Sequence, residues 1–127
     1  MKLEHIAVNV SEPALLAQWL VDNFDMHIVL SSAEAPYMHF VADASGSMIE
    51  LYHNTAAPIP DYAAMSPYLL HFAFVTSDIE ADRKRLIEAG ATPIGEITST
   101  AAGDKLAFLR TPWHEPLQLV QRDKPLA

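Results

Sequence analysis

The chain has 127 residues, of which 50% are hydrophobic and 19% charged, a balance typical of one globular domain and unlike a disordered chain. It has no cysteine, which excludes disulfides, thiolate metal sites and a cysteine nucleophile. Eight Lys and Arg against sixteen Asp and Glu give a net charge of −8, which disfavours nucleic acid and anionic membrane surfaces as partners. Without an apolar signal core or a transmembrane-length apolar run, the sequence predicts a cytoplasmic protein.

The first half of the chain predicts a strand, a helix and three further strands. Residues 3–10 alternate as a strand does, and Ser11 is the expected N-cap of the helix that follows. That helix carries an apolar stripe made of Leu15, Leu16, Trp19 and Leu20. The next strands are predicted at 27–32, 37–42 and 47–53, with a turn at 43–46.

The second half repeats this order of elements. Residues 54–68 contain three prolines and no periodicity, which indicates an extended or irregular linker. A strand at 69–75 then leads to a helix opened by a capping box at Ser77–Glu80 and ended by Gly90. The remaining strands are predicted at 93–98, 105–110 and 116–122. We therefore expect a single α+β domain, 1–127, with a first module at 1–53, a linker at 54–68 and a second module at 69–123.

Side-chain alternation places four polar residues on the face of the sheet that lies away from the helices. They form two pairs related by the repeat, since the imidazoles are 66 residues apart and the other two members 68 apart: His5, Glu50, His71 and Gln118. Such a set suits a divalent ion, namely Zn, Ni, Co, Mn or Fe. A sheet with one solvated face would also place polar residues outward without any metal.

The doubled strand-helix-three-strand plan resembles the vicinal oxygen chelate superfamily, which includes glyoxalase I, bleomycin-resistance proteins and extradiol dioxygenases. The resemblance is carried, in order, by Glu4-His-Ile-Ala-Val8, Met48-Ile-Glu-Leu-Tyr52, Leu70-His-Phe-Ala-Phe74 and Phe108-Leu-Arg-Thr-Pro-Trp-His-Glu-Pro-Leu-Gln-Leu119. It implies two βαβββ modules that form a curved mixed eight-stranded sheet with helices on the outer face. It also implies a homodimer, and metal positions that fall on His5, Glu50, His71 and Gln118.

The sequence departs from this family at two places. The last ligand position is commonly Glu and here is Gln118, whose amide cannot act as a base, so proton transfer would fall to Glu50. The turn before the last strand is commonly Asp-Pro-x-Gly-Asn and here is Thr111-Pro-Trp-His-Glu115. Its His114 and Glu115 are expected at a pocket rim or in a solvated turn.

Three functions remain open from the sequence. The first is a metal-dependent lyase or isomerase of the glyoxalase type, with Glu50 as catalytic residue and a small-molecule substrate that chelates the metal through adjacent oxygens. The second is a metal-free binding protein of the bleomycin-resistance type, which the negative charge and the aromatic residues suit. The third is an Fe(II) dioxygenase that uses two His and one carboxylate. Residues expected to contact substrate are Tyr52, His39, Tyr37 and Trp113.

Overall fold

The computed structural model describes all residues from Met1 to Ala127. The chain divides into two compact units, Met1–Pro60 and Asp61–Ala127. Each unit contains one helix and one four-stranded mixed sheet, which confirms the α+β class and the two βαβββ modules. None of the helices has the length and apolar character that crossing a membrane requires.

The first unit is built around a sheet whose first and last strands are neighbours. Its elements are β1 (Ile6–Asn9), α1 (Pro13–Phe24), β2 (His27–Ser31), β3 (His39–Ala42) and β4 (Met48–Tyr52). The strand order is β1-β4-β3-β2, with β1 parallel to β4 and the other pairs antiparallel. The first strand, β1, therefore lies beside the last strand, β4, and the parallel direction of this pair is possible because α1 follows β1 as a crossover.

Helix α1 buries most of the predicted apolar stripe. Leu16, Trp19 and Leu20 are buried, but Leu15 is 53% exposed, so its assignment to the stripe was wrong. The predicted N-cap Ser11 is also wrong, because the N-cap is Glu12 and its side chain makes no capping hydrogen bond. Pro13 explains the shift: its fixed φ and missing N–H suit the first helical position, so the helix begins there.

The second unit repeats the first in strand order. Its elements are β5 (Phe72–Val75), α2 (Ile79–Glu88), β6 (Thr92–Ser99), β7 (Lys105–Arg110) and β8 (Pro116–Gln121). The order is β5-β8-β7-β6, and β5 runs parallel to β8. The core of this unit lies between α2 and the sheet, where Ile79, Leu86, Leu109 and Leu117 are fully buried.

The caps of α2 differ from the sequence prediction at one end only. The N-cap is Asp78, whose carboxylate accepts from the Ala81 amide at 3.1 Å, so the capping box assigned to Ser77 was wrong. The Thr76 hydroxyl accepts from the Asp78 amide at 3.0 Å and so holds Asp78 in place to cap. After the helix, Gly90 has φ +105°, as predicted, and an added Cβ would lie 3.1 Å from Pro112.

The linker predicted at 54–68 contains no helix or strand, and each end is tied to its own unit by one side chain. Asn9 donates to the carbonyls of Asn54 and Ala57 at 2.9 and 3.1 Å, and its amide oxygen accepts from the Asn54 amide at 2.8 Å. In the second unit, Arg110 donates to the carbonyls of Tyr62 and Met65. Both ends of this irregular segment are therefore ordered by polar side chains on the strands.

Candidate functional site

The two candidate imidazoles occupy equivalent places in the two units. His5 and His71 each lie one residue before the first strand of the sheet, so the strands predicted from residues 3 and 69 are shorter than expected. In each unit, the alanine two residues after the histidine is paired across the parallel strands with the second candidate ligand of that unit. Ala7 pairs with Glu50, and Ala73 pairs with Gln118.

The repeat extends to an aromatic contact that holds each imidazole. Phe40 pairs with Glu50 across the β3–β4 ladder, and its ring centroid lies 5.0 Å from that of His5 with the planes at 86°. Phe108 pairs with Gln118, and its ring lies 5.2 Å from His71 at 79°. These edge-to-face contacts restrict the orientation of both imidazoles. The sequence analysis missed Phe40, although its 68-residue spacing from Phe108 equals that of Glu50 from Gln118.

Both ring nitrogens of His5 face carboxylate oxygens. Nδ1 lies 2.9 Å from Oε1 of Glu4, and Nε2 lies 3.4 Å from Oε2 of Glu50. A neutral imidazole carries only one N–H, and the shorter contact to Glu4 is the better hydrogen bond. The contact with Glu50 then joins two acceptors, and it is favourable only when a second proton or a metal cation is shared between them.

The spacing of these two atoms fits a shared metal ion. Nitrogen and oxygen ligands bind Zn at about 2.0–2.2 Å, so two of them at a tetrahedral angle are roughly 3.4 Å apart. Structural and catalytic sites use at least three protein ligands. The first unit supplies two, and nowhere in the structure do three or more His, Asp or Glu side chains form a group that would hold a metal.

In the second unit, the orientation of His71 is set by the main chain. Its Nδ1 lies 2.7 Å from the carbonyl oxygen of Pro67, which can only accept, so Nδ1 carries the proton. Nε2 is therefore left with a lone pair, the form that binds metals. The Gln118 side chain is half-buried, and its amide oxygen is the second candidate ligand of this unit.

Two of the four residues predicted to contact substrate lie on strands, and their side chains point to opposite faces of the first sheet. Tyr52 is half-buried and shares a face of β4 with Glu50, two residues earlier. His39 pairs with Leu51, so it points to the opposite face from Glu50, and its Nδ1 lies 2.7 Å from the Tyr37 carbonyl.

The other two residues lie in loops. Tyr37 is exposed, has φ +58°, and lines a cavity of about 450 Å³ together with His53 and Asn54. This cavity contains neither His5 nor Glu50. Trp113 is half-buried in the β7–β8 turn, where its amide donates to the hydroxyl of Thr111 at 3.2 Å. Of the four, Tyr52 is the one whose strand position places it on the face of Glu50.

Comparison with known proteins identifies the family. Residues 2–119 match the family described as the Glyoxalase/Bleomycin resistance protein/Dioxygenase superfamily. The chain belongs to this superfamily. No curated protein matches the sequence.

Solved structures of the superfamily share the fold. A glyoxalase/bleomycin resistance protein/dioxygenase family enzyme from Burkholderia phytofirmans PsJN is 16% identical, with a TM-score of 0.75 over 95% of this chain and 98% of that one. TnmS3, an antibiotic binding protein from Streptomyces sp. CB03234, is 19% identical, with a TM-score of 0.72 over 97% of both chains. Oxidase ChaP-H2 is 23% identical, with a TM-score of 0.69 over 96% and 94%. At these identities the likeness shows the fold alone.

The β7–β8 turn contains a buried acid where the superfamily commonly has Asn. Glu115 is only 1% exposed, so the expectation of a pocket rim or a solvated turn was wrong for this residue. Its Oε1 accepts from the hydroxyl of Thr111, while its Oε2 is buried without a partner. Burial raises the pKa of Glu115 to about 7. His114 does stand in the turn exposed, and it has φ +83° at the place where the superfamily commonly has Gly.

A tyrosine beside this acid is also perturbed. Tyr62 is 4% exposed, and burial together with the negative charge of Glu115 raises the pKa of its hydroxyl to about 12. Glu115 and Tyr62 are both buried in the second unit, and neither is one of the four proposed metal ligands.

Proposed function

We propose that the chain is a divalent-metal-dependent lyase or isomerase of the glyoxalase type, with His5, Glu50, His71 and Gln118 as the metal ligands. The observation that carries the proposal is the 3.4 Å contact between Nε2 of His5 and Oε2 of Glu50, a spacing that fits two ligands of one metal ion. The matched position of His71 and Gln118 in the second unit supports it.

The chain's own residues divide the chemistry between them. A bound Zn, Ni, Co, Mn or Fe ion would act as a Lewis acid toward a small molecule that chelates it through two adjacent oxygens. Glu50 is the single carboxylate of the set, so it accepts and returns the substrate proton. The amide of Gln118 donates its oxygen but cannot take up a proton. Tyr52 contacts the substrate from the same strand face as Glu50.

A cavity in the second unit offers room for the organic part of such a substrate. It has a volume of about 690 Å³ and is lined largely by apolar residues, among them Ala73, Val120 and Leu126. Neither His71 nor Gln118 lines this cavity, and the link to the second ligand pair is Ala73, which is paired with Gln118 across the β5–β8 ladder. Its size lies in the range of ligand pockets in proteins.

Two other functions have specific support. A metal-free binding protein is favoured by the similarity to an antibiotic binding protein and by the net charge of −8, which attracts cationic ligands. An Fe(II) dioxygenase is favoured by the set of two imidazoles and one carboxylate, and by the similarity to a protein described as an oxidase.

Elemental analysis of the protein as purified tests the proposal. We expect about one divalent ion per chain in the wild type and its loss in His71→Ala, because the variant keeps only His5 and Glu50 as strong ligands and the neutral amide of Gln118 is a weak one. His27→Ala is the matched control, since His27 is an exposed imidazole on β2. Equal metal contents near zero in the wild type and His71→Ala would reject the metal-dependent enzyme and leave the binding protein.

A further inference from the structure

Arg110 binds the main chain of the segment that leads to His71. This residue ends β7 and is half-buried. One guanidinium nitrogen donates to the Tyr62 carbonyl at 2.6 Å, and the other donates to the Met65 carbonyl at 2.8 Å. A planar guanidinium holds two acceptors in a fixed relation, and charged donors make the stronger hydrogen bonds. One side chain therefore holds the carbonyls of residues 62 and 65 together.

From this anchor, short local contacts continue to the imidazole. The Met65 amide donates to the Tyr62 carbonyl at 3.3 Å, and the Leu69 amide donates to the Ser66 carbonyl at 3.0 Å. The carbonyl of Pro67, within the second turn, accepts from Nδ1 of His71 at 2.7 Å. Only Ser66 separates the anchored Met65 from Pro67, so movement at residue 65 moves the acceptor of His71.

Phe108 stabilises the same arrangement from the sheet. Its ring contacts Tyr68 at 5.5 Å and His71 at 5.2 Å, both edge to face. The imidazole is thus held by an aromatic ring on one side and by a main-chain carbonyl on the other. The aromatic contact orients the plane of the ring, whereas only the carbonyl selects which nitrogen carries the proton.

We infer that Arg110 is a positioning residue for His71: by anchoring residues 62–65 it places the Pro67 carbonyl, which keeps the proton on Nδ1 and leaves Nε2 free to bind a ligand. The importance of this for activity rests on the proposed function, in which Nε2 binds the metal. The effect on the tautomer does not, because it is a property of the metal-free chain.

Nitrogen NMR of the imidazoles in metal-free protein tests the inference directly. At alkaline pH, where imidazoles are neutral, we expect His71 of the wild type to be the Nδ1–H tautomer. In Arg110→Met we expect a mixture with substantial Nε2–H form, and in Arg110→Lys a smaller change, because one ammonium cannot bind both carbonyls in the same geometry. Arg122→Met is the matched control: Arg122 is half-buried and pairs with Asp104 at 2.8 Å, away from residues 62–67.

Metal titration gives a second readout. Loss of an outer partner of a metal-binding imidazole typically costs roughly 10- to 100-fold in affinity, so we expect that loss for Zn in Arg110→Met and no change in Arg122→Met. A folded Arg110→Met or Arg110→Lys protein with the wild-type tautomer would overturn the inference. If the wild type binds no metal but the tautomer shifts as expected, the proposed function fails and the role of Arg110 stands.

Discussion

Oε2 of Glu50 lies 3.4 Å from Nε2 of His5, and both residues belong to the first unit. The backbone register produces this contact, since Glu50 is paired with Ala7 and the imidazole comes from the residue just before β1. The first unit alone therefore brings two of the proposed ligands, His5 and Glu50, within 3.4 Å of each other.

Glu50→Gln is predicted to weaken metal binding by more than the roughly 10- to 100-fold that loss of an outer-shell partner costs. The substitution keeps the shape of the side chain but removes the one carboxylate of the set, and with it the base. Isothermal titration with Zn measures the affinity. Glu88→Gln, at the exposed end of α2, is the control that removes the same charge elsewhere. Equal affinities in the two variants would contradict a metal role for Glu50.

Gln118→Glu is predicted to have the opposite effect. It adds a carboxylate at the position where the superfamily commonly has one, and an added ligand charge tightens binding of a divalent ion. We expect an affinity gain on the order of 10-fold by the same titration. If the ligand set is as proposed, the double variant Glu50→Gln/Gln118→Glu recovers part of the lost affinity, whereas weaker binding in Gln118→Glu itself would argue against an oxygen ligand there.

The stability of the chain is predicted to fall between acidic and neutral pH because of Glu115. Burial raises the pKa of Glu115 from 4.5 to about 7, so the folded state favours the protonated acid. This contribution is complete below the ordinary pKa and is lost as the pH rises through about 7, at a cost of about 3 kcal/mol. Urea denaturation across this range measures it. Glu115→Gln should flatten the pH dependence, and an unchanged slope would show that another group is responsible.

His114→Gly is predicted to stabilise the β7–β8 turn. His114 has φ +83°, a conformation that costs a residue with a side chain about 1 kcal/mol or more, whereas glycine adopts it freely. We expect a gain of about 1 kcal/mol and a rise in Tm of roughly 2–8 °C, measured by thermal denaturation. His114→Ala keeps the steric cost of a Cβ, so its Tm should not rise; equal gains in both variants would locate the effect elsewhere.

The doubled architecture was predictable because it depends on features that recur along the chain. Strand alternation, helical stripes and the 66-residue spacing of His5 and His71 each report on a whole element, so errors at single residues do not change the result. The register that brings Glu50 beside His5 follows from the same alternation once β1 and β4 are neighbours.

The predictions that were wrong concern single residues whose role depends on a local contact. Ser77 and Asp78 are equally good caps by type, and the hydroxyl of Thr76 decides between them through a contact that sequence does not show. Glu115 was expected near solvent because carboxylates are rarely buried, yet the partner Thr111 lies four residues earlier in the same turn.

The two imidazoles differ in how their Nδ1 is held, and this has a consequence for how the sequence can drift. The Nδ1 of His5 depends on the side chain of Glu4, which is 74% exposed, so many single substitutions at that position remove its partner. The Nδ1 of His71 depends on a backbone carbonyl, an atom that every amino acid supplies. Substitutions at position 4 should therefore change the proton placement on His5 directly, whereas at His71 the acceptor survives any substitution of residue 67 and the sensitive position is Arg110, which places that carbonyl.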